Sequence, residues 1–108
     1  MTVDELKTTL DLKEICVCEP DREIEGGYIG DLLSWVMGKA KSGDVWITIM
    51  SNINIVAVAA LTDVACIVLA EGVTVDDNIV STAKSKGINI LMSSKSAFDI
   101  ASEISKLI

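Results

Sequence analysis

The stretch VWITIMSNINIVAVAALTDVACIVLA, Val45–Ala70, decides the fold. It contains a β-branched run, then an alanine-rich run, then a second β-branched run. The stretch is long and apolar enough to suggest a membrane span. However, Asn52, Asn54 and Asp63 interrupt it, and an acidic residue at the middle of a bilayer costs about 2.5–3.5 kcal/mol. The pattern therefore predicts strand, helix and strand, with Ala65–Leu69 apolar on both faces and buried inside a sheet.

The alternation of strand and helix continues to the end of the chain. Strands are predicted over Val45–Met50, Ala65–Leu69 and Ile88–Met92, and helices over Ile53–Thr62, Asp76–Lys86 and a final segment after Ser94. This order is typical of a parallel sheet built from right-handed βαβ units. A chain of 108 residues buries roughly two thirds of its unfolded surface, and we predict one domain over residues 1–108.

The first third of the chain carries weaker signals. Thr2 and Glu5 form a capping-box pattern that predicts an N-terminal helix. Ile15–Val17 and Glu23–Ile29 are predicted strands, and Asp31 is predicted to cap a second helix with one apolar face. All the elements together predict an α/β fold, a three-layer α/β/α sandwich with a mainly parallel central sheet.

Charge and the missing histidine exclude several classes of function. The formal net charge is −7 and the pI is about 4.4, which argues against binding to a nucleic-acid backbone or an anionic membrane. The chain has no histidine, so the commonest general base and metal ligand is missing. No serine has an evident base to activate it. We therefore expect no catalytic residue, no metal and no cofactor.

The three cysteines cannot form a fully paired set. Because the N-terminal segment is polar and typical of a helix start, the simplest compartment is a reducing cytoplasm. Cys16 and Cys18 alternate onto one face of a predicted strand. Two interpretations are open: the pair binds a soft metal or the edge of a cluster, although no second pair completes such a site, or both residues are ordinary core cysteines.

The single arginine lies in Pro20–Asp31, the segment that also holds the only proline, the only tyrosine and three of the seven glycines. The planar guanidinium of Arg22 suits two-point contact with a phosphate or a carboxylate. It therefore either binds an anionic ligand or braces a structural loop that contains Asp21, Arg22, Gly30 and Asp31. The glycines match neither a P-loop nor a dinucleotide-binding fingerprint. They are better explained by a strand that runs close to another backbone.

Small polar residues follow the predicted strands at their carboxyl ends, where open parallel sheets bind ligands. Helix N-termini in these loops attract anions without any catalytic side chain. We predict that a small anionic metabolite or a nucleotide binds there, with a residue set of Arg22, Gly26, Gly27, Ser51, Asn52, Thr74 and Ser94. The alternative is that Asn52, Thr74 and Ser94 only cap their helices.

The predicted third helix is apolar almost all round, since Asn54 is the only polar side chain between Ile53 and Leu61. Such a helix must be covered on every side, and the sheet covers only one. We therefore predict a homodimer with two-fold symmetry whose interface includes Ile53, Val56, Ala57 and Ala60. The alternative is that the alanines lie in a shallow groove with modest exposure.

Several segments agree in order and spacing with a known family. Asp21-Arg22 with Gly26-Gly27, then Gly30–Leu33, Gly43–Ile49 and Asn54–Ala59 resemble a DRTGG domain, although no threonine stands between Arg22 and Gly26. The resemblance covers essentially the whole chain. It implies a fold similar to the N-terminal domain of HPr kinase/phosphorylase and, more distantly, to that of the muramyl-peptide ligases.

DRTGG domains are modules of phosphotransacetylases, cobyrinate-synthase-like proteins and CBS-domain pyrophosphatases, where they resemble accessory or regulatory domains. The resemblance therefore implies a non-catalytic regulatory or ligand-sensing domain that self-associates. The alternative is a purely structural module for homodimerisation or protein interaction, without a ligand. An enzyme is not expected, apart from an active site shared between two copies at their interface.

Overall fold

The structure, a computed structural model, describes the whole chain, Met1–Ile108. It contains five helices and five strands, which follow one another in the predicted order. In chain order they are α1 (Val3–Thr9), β1 (Lys13–Cys16), β2 (Gly26–Ile29), α2 (Leu33–Lys39), β3 (Asp44–Thr48), α3 (Asn54–Thr62), β4 (Cys66–Leu69), α4 (Asp77–Lys86), β5 (Ile90–Met92) and α5 (Ala97–Ser105). The predicted α/β class is confirmed.

The five strands form one sheet in the order β1-β5-β4-β3-β2. The β2–β3, β3–β4 and β4–β5 pairs are parallel, and only β1 runs antiparallel to its neighbour, β5. The sheet is therefore mainly parallel, as predicted. Its two edges are β2, where Gly26 lies opposite Asp44, and β1, where Lys13 lies opposite Met92.

Helices cover both faces of the sheet, so the domain has three layers. One core lies under α1 and α5 and includes Val45 and Val68, and the other lies under α2, α3 and α4 and includes Trp46 and Ile67. Neighbouring residues of β3 and β4 belong to different cores because successive side chains of a strand point to opposite faces. Every residue of β3 and β4 is buried, as the apolar pattern of β4 predicts.

Four strands are shorter than predicted, since β3 ends at Thr48, β4 begins at Cys66, and β5 and β2 also begin later. The fifth begins at Ile90 rather than Ile88, because the N–H of Ile88 still donates to the carbonyl oxygen of Ala83 in α4 at 2.9 Å. The second begins at Gly26 rather than Glu23. Glu23 forms an isolated antiparallel bridge with Thr2 instead, so the residues before β2 pack beside α1 rather than beside β3.

The predicted helix caps at Thr74 and Ser94 are wrong. Asp76, not Thr74, caps α4, since its carboxylate accepts the N–H of Ile79 at 2.9 Å. Ser96, not Ser94, caps α5. In both loops the chain makes a further turn before the helix starts. After β4 that turn includes Gly72, which has a φ of 72°, a left-handed conformation that favours glycine.

Candidate functional site

The predicted ligand residues lie at opposite ends of the parallel strands. Arg22, Gly26 and Gly27 lie near the end where these strands begin, since Gly26 is level with the first residue of β3. The loops after β3, β4 and β5 lie at the carboxyl end, and they hold Ser51, Asn52, Thr74 and Ser94. A strand of four or five residues spans roughly 13–17 Å. The sheet thus separates the two groups, and they do not form one site.

Arg22 binds the C-terminus of α3. Its Nη1 donates to Oδ1 of Asp63 at 3.0 Å, and its Nη2 donates to the carbonyl oxygen of Asp63 at 2.8 Å and to Oγ of Ser42 at 3.4 Å. Ser42 donates in turn to Oδ2 of Asp63 at 2.6 Å. The partner of the arginine is therefore Asp63, 41 residues away, and not its neighbour Asp21 or Asp31.

This network engages the guanidinium in bonds to the protein. Hydrogen bonds from Arg22 and Ser42 lower the pKa of Asp63, and the bond to Asp63 raises the pKa of Arg22. The pair is not buried, because the Asp63 side chain is 61% exposed and that of Arg22 is 25% exposed. The network borders a small cavity of about 150 Å³ that Asn89 also lines. These contacts support the structural role for Arg22.

Asn89 holds the segment after β1 against the start of β4. Its side chain is buried, and Oδ1 accepts the N–H groups of Cys18 at 2.8 Å and Glu19 at 2.9 Å. Its Nδ2 donates to the carbonyl oxygens of Glu19 at 2.9 Å and Ala65 at 3.0 Å. All four bonding positions of the amide are used, so this one side chain fixes the turn at Cys18 and Glu19.

Asp31 holds the end of β3 and does not cap α2, which corrects the prediction. Its Oδ1 accepts the hydroxyl of Thr48 at 2.8 Å and the N–H of Ile49 at 3.0 Å. Nearby, Nε1 of the fully buried Trp46 donates to the carbonyl oxygen of Gly30 at 2.9 Å. Since the carboxylate is used by β3, α2 begins without any side-chain cap.

Two glycines of β2 and its flank lie where a larger side chain has no room. A Cβ atom on Gly26 would lie 2.9 Å from Oδ1 of Asp44, and one on Gly30 would lie 2.8 Å from the ring of Tyr28. Gly27 has more space. A larger residue at Gly26 or Gly30 would therefore have to displace the side chain of Asp44 or Tyr28, whereas the nearest backbone atom to a Cβ on Gly27, the carbonyl oxygen of Val45, is at an ordinary 3.6 Å. The crowding thus comes from side chains and not from the close backbone approach that the sequence suggested.

The polar residues at the carboxyl end of the parallel strands differ in their hydrogen bonds. Oδ1 of Asn52 accepts the N–H of Asn54, the first residue of α3, at 2.9 Å, whereas Ile53, at the N-cap position, makes no side-chain cap. Ser51, Thr74 and Ser94 are exposed, and the bonds that begin α4 and α5 are made by Asp76 and Ser96 instead. Their hydroxyls are thus free to bind a ligand or water.

A cleft of about 380 Å³ lies at the carboxyl end of β5. Its lining includes Asp11, Lys13, Ser93, Ser94 and Lys95. Lys13 reaches this place because β1 pairs antiparallel with β5, with Lys13 level with the last residue of that strand. Two lysines therefore flank two serines at the edge where parallel sheets bind ligands.

The charges in this cleft are unequal. Nζ of Lys95 donates to Oε1 of Glu103 at 2.6 Å, which raises the pKa of Lys95. Lys13 has no carboxylate within ion-pair distance, and the N–H of Ser94 has no backbone acceptor. Lys13 is therefore the free cation of the cleft, and Asp11 is the negative group that an anion has to approach.

The exposed side of α3 is apolar apart from Asn54 at its first position. Ile53 is 39% exposed and Leu61 is 73% exposed, and Ala57 and Ala60 are exposed beside them. Val56 is buried inside the domain at 1% exposure, so it does not lie on the face that the dimer prediction requires. None of the five helices combines the length and hydropathy that crossing a membrane requires.

A second apolar surface lies on the other face of the sheet. A groove of about 310 Å³ runs between α5 and strands β2 and β3, and seven of its nine lining residues are hydrophobic. Ile29 and Ile108 are the exposed large hydrophobic residues that border it. The groove exists because α1 and α5 are the only helices on this face, and they leave the β2 side partly uncovered.

The two cysteines of the first strand region lie together but differ in exposure. Cys16 is buried and Cys18 is exposed, and their Sγ atoms are 3.5 Å apart. Burial raises the pKa of Cys16 to about 11 and that of the enclosed Cys66 to about 12. No group of three or more His, Cys, Asp or Glu residues is arranged to hold a metal ion.

These features define the class: a small three-layer α/β domain whose clefts present lysine, serine and apolar side chains. A family model for the DRTGG domain matches residues 29–107, and the chain belongs to the DRTGG domain family. The resemblance inferred from the sequence is thus confirmed. The matched range begins after Asp21, Arg22, Gly26 and Gly27, so the match rests on the later segments.

The fold is also similar to a solved structure, that of the CBS and DRTGG domains of the regulatory region of Clostridium perfringens pyrophosphatase, complexed with its activator diadenosine tetraphosphate. The TM-score is 0.73 at 17% identity, with 94% of this chain and 44% of that chain covered. The present chain thus spans less than half of the chain it matches. No curated protein matches the sequence.

The roles of three residues at these sites were not predicted from the sequence. Asp63 and Lys13 have no local signal, because each reaches its site only through packing between distant elements. Asn89 does have a local signal, because it is a polar residue inside the apolar run Ile88–Met92. A buried amide must be hydrogen-bonded, so its position already predicts a structural contact.

Proposed function

We propose that this DRTGG domain, acting as one unit over residues 1–108, is a non-catalytic regulatory domain that binds a small anionic metabolite or nucleotide. The site is the cleft at the carboxyl end of β5. One observation carries the proposal: Lys13 and Lys95 flank Ser93 and Ser94 in a cleft of about 380 Å³. Of the ligand residues predicted from the sequence, Ser94 belongs to this cleft.

The chemistry of the cleft suits phosphate. Lys13 supplies an ammonium group without a carboxylate partner, and Ser94 supplies a hydroxyl and a backbone N–H without an acceptor. Hydrogen bonds in which one partner is ionised are about twice as strong as neutral ones. The anion displaces Glu103 from Lys95 or binds beside that pair, which is exposed and contributes little to stability.

The family and the structural similarity support a regulatory role. The pyrophosphatase structure contains a DRTGG domain within a regulatory region and was solved with a dinucleotide activator. Strong negative charge elsewhere on this chain, with a net charge of −7, repels anions beyond the local site. Screening limits that repulsion to about 8 Å at physiological salt, so an anion in the cleft interacts mainly with the local charges of Lys13, Lys95, Asp11 and Glu103.

The test is titration of the isotopically labelled chain with ATP, diadenosine tetraphosphate and inorganic phosphate, followed by amide NMR. We expect shifts at residues 93–97 with at least one of the three probes. Lys13→Gln should weaken that binding by about tenfold or more, since one charge-assisted hydrogen bond contributes about 1.5–3 kcal/mol.

Lys86→Gln is the matched control, because Lys86 is also an exposed lysine but lines the cavity at the opposite edge of the sheet. It should leave the affinity unchanged. No shift with any of the three probes would contradict the proposal. Equal weakening by both substitutions would show attraction to overall charge rather than a site.

The exposed face of α3 favours a second candidate, a module that self-associates. Ile53, Ala57, Ala60 and Leu61 form an apolar surface on one helix, and a second copy of this chain covers it across a two-fold axis. The interface differs from the sequence prediction in that Leu61 replaces the buried Val56.

Leu61→Lys is expected to convert a dimer of the wild-type chain into a monomer at micromolar concentration, measured by light scattering after size exclusion. The reason is that a lysine at the centre of an apolar contact is left desolvated and unpaired. Phe98→Lys is the matched control, since Phe98 is 80% exposed but lies on α5, on the other face of the sheet. A monomeric wild-type chain would exclude this candidate.

A further inference from the structure

Cys16 and Cys18 form a close thiol pair beside the edge of the sheet. Their Sγ atoms lie 3.5 Å apart and all the cysteines are free. The register of β1 against β5 shifts between Glu14 and Cys16, and Cys18 lies beyond the end of β1. The two sulfur atoms face each other across one intervening residue, Val17.

We propose that Cys16 and Cys18 are a reversible thiol–disulfide site that is oxidised by hydroperoxides. A disulfide bond is about 2.05 Å long, and the Sγ atoms are 3.5 Å apart. A small movement of the two side chains therefore brings the sulfur atoms to bonding distance. A metal fits the pair less well, because no third histidine, cysteine or carboxylate completes a site. Cys66 takes no part, since it is completely enclosed in the core.

Exposure assigns a different role to each thiol. Cys18 is exposed, and its thiolate is the nucleophile that meets the oxidant. Cys16 is buried at 3% exposure, and burial holds most of it in the thiol form with a pKa of about 11. Cys18 therefore reacts first, and Cys16 is the resolving thiol.

The reaction balances in two steps. The Cys18 thiolate attacks one oxygen of the hydroperoxide, the O–O bond breaks, and the product is Cys18 sulfenic acid with hydroxide or alkoxide as the leaving group. The Cys16 sulfur then attacks the Cys18 sulfur, an S–S bond forms, and the hydroxyl leaves as water with the proton of the Cys16 thiol. The two thiols lose two electrons, which the hydroperoxide gains.

Burial opposes ionisation of the Cys16 thiol, as do the neighbouring Cys18 and Glu14, whereas the ammonium of Lys84 favours it. Lys84 therefore supplies positive charge near the resolving thiol.

The structure also explains why the bond is reversible. The N–H of Cys18 donates to Oδ1 of Asn89 at 2.8 Å, and Cys16 lies in register with Ile90. Formation of a disulfide between Cys16 and Cys18 has to distort both of these contacts, which strains the bond. Strained and exposed disulfides have higher reduction potentials and are the ones that thiols reduce readily.

The experiment treats the folded chain with hydrogen peroxide and measures its intact mass before and after dithiothreitol. We expect the wild type and Cys66→Ser to lose two hydrogen atoms and to regain them on reduction. Cys16→Ser should instead gain one oxygen that dimedone traps at Cys18. Cys18→Ser should react at least tenfold more slowly, because the remaining Cys16 is buried.

Amide hydrogen exchange provides a second measurement, and it does not depend on any variant folding. In the oxidised wild type, the amides of Cys18 and Glu19 should exchange faster, because both donate to Asn89 in the reduced chain. The proposal is overturned if peroxide yields only oxygen adducts in the wild type. It is equally overturned if the only disulfide joins Cys18 residues of two chains.

Discussion

Asn89→Asp is expected to lower the free energy of unfolding by about 2–6 kcal/mol, because two buried acceptors lose their donors at about 1–3 kcal/mol each. In the native chain, Nδ2 donates to the carbonyl oxygens of Glu19 and Ala65. A carboxylate has the same shape but places an oxygen against each of those carbonyls. The new charge is also buried, since Asn89 is 3% exposed, and no cation contacts it.

Urea unfolding followed by circular dichroism measures this loss, and the slope of the transition should not change. Asn78→Asp is the matched control. Asn78 is exposed in the first turn of α4, where an acidic side chain is favoured by the helix dipole. An equal effect of the two substitutions would contradict the assigned role of Asn89. Acid should reduce the deficit of Asn89→Asp, because the protonated carboxyl regains one donor and loses its charge.

Arg22→Ala is expected to lower the free energy of unfolding by about 1.5–3 kcal/mol, the usual range for hydrogen bonds that involve a charged group. The substitution removes the bonds to the carboxylate and the carbonyl oxygen of Asp63. It thereby frees the segment before β2 from the end of α3. The value stays below that of a buried ion pair, because the carboxylate of Asp63 is 61% exposed.

The pH dependence of this effect has a definite sign. The pKa of Asp63 is lowered by its bonds to Arg22 and Ser42, so the folded state binds the proton more weakly than the unfolded state does. The contribution of the pair is therefore fully present above the ordinary carboxyl pKa and is lost as the pH falls through the lowered pKa. The difference between wild type and Arg22→Ala should shrink in acid.

Two controls distinguish a structural role of Arg22, its bond to Asp63, from a role in ligand binding. Lys86→Ala removes another cation from the same cavity that has no ion pair, and it should change stability by less than about 0.5 kcal/mol. Asp63→Asn should approach the effect of Arg22→Ala while keeping a residue that tolerates the left-handed backbone at φ 58°. Unchanged stability in Arg22→Ala, with weakened binding of anions, would reverse the assignment.

The elements were predictable because their signals are local. The β-branched run of β4 and the alanine-rich run of α3 are visible in neighbouring residues. The family resemblance depends partly on the same segments. Helix caps were less predictable. Ser94 and Ser96 are equally good caps in isolation, and only the path of the chain after β5 selects Ser96.

The sites were predictable only in part. The importance of the segment around Arg22 is visible in the sequence, but the partner of Arg22 is not, since several acidic residues lie closer to it along the chain than Asp63 does. In the same way, the spacing of Cys16 and Cys18 predicts one strand face for both, whereas the 3.5 Å separation of their Sγ atoms is visible only in the structure, since Cys18 lies beyond the end of β1.

Hydropathy periods and turn residues act over a few neighbouring positions, so the ten elements, the mainly parallel sheet and the family can be predicted from local sequence. The contacts between polar groups follow from tertiary packing instead. The strand order β1-β5-β4-β3-β2 brings Lys13 to Ser93 and Asn89 to Glu19. Such contacts depend on packing between elements far apart in the chain, and no local pattern records them.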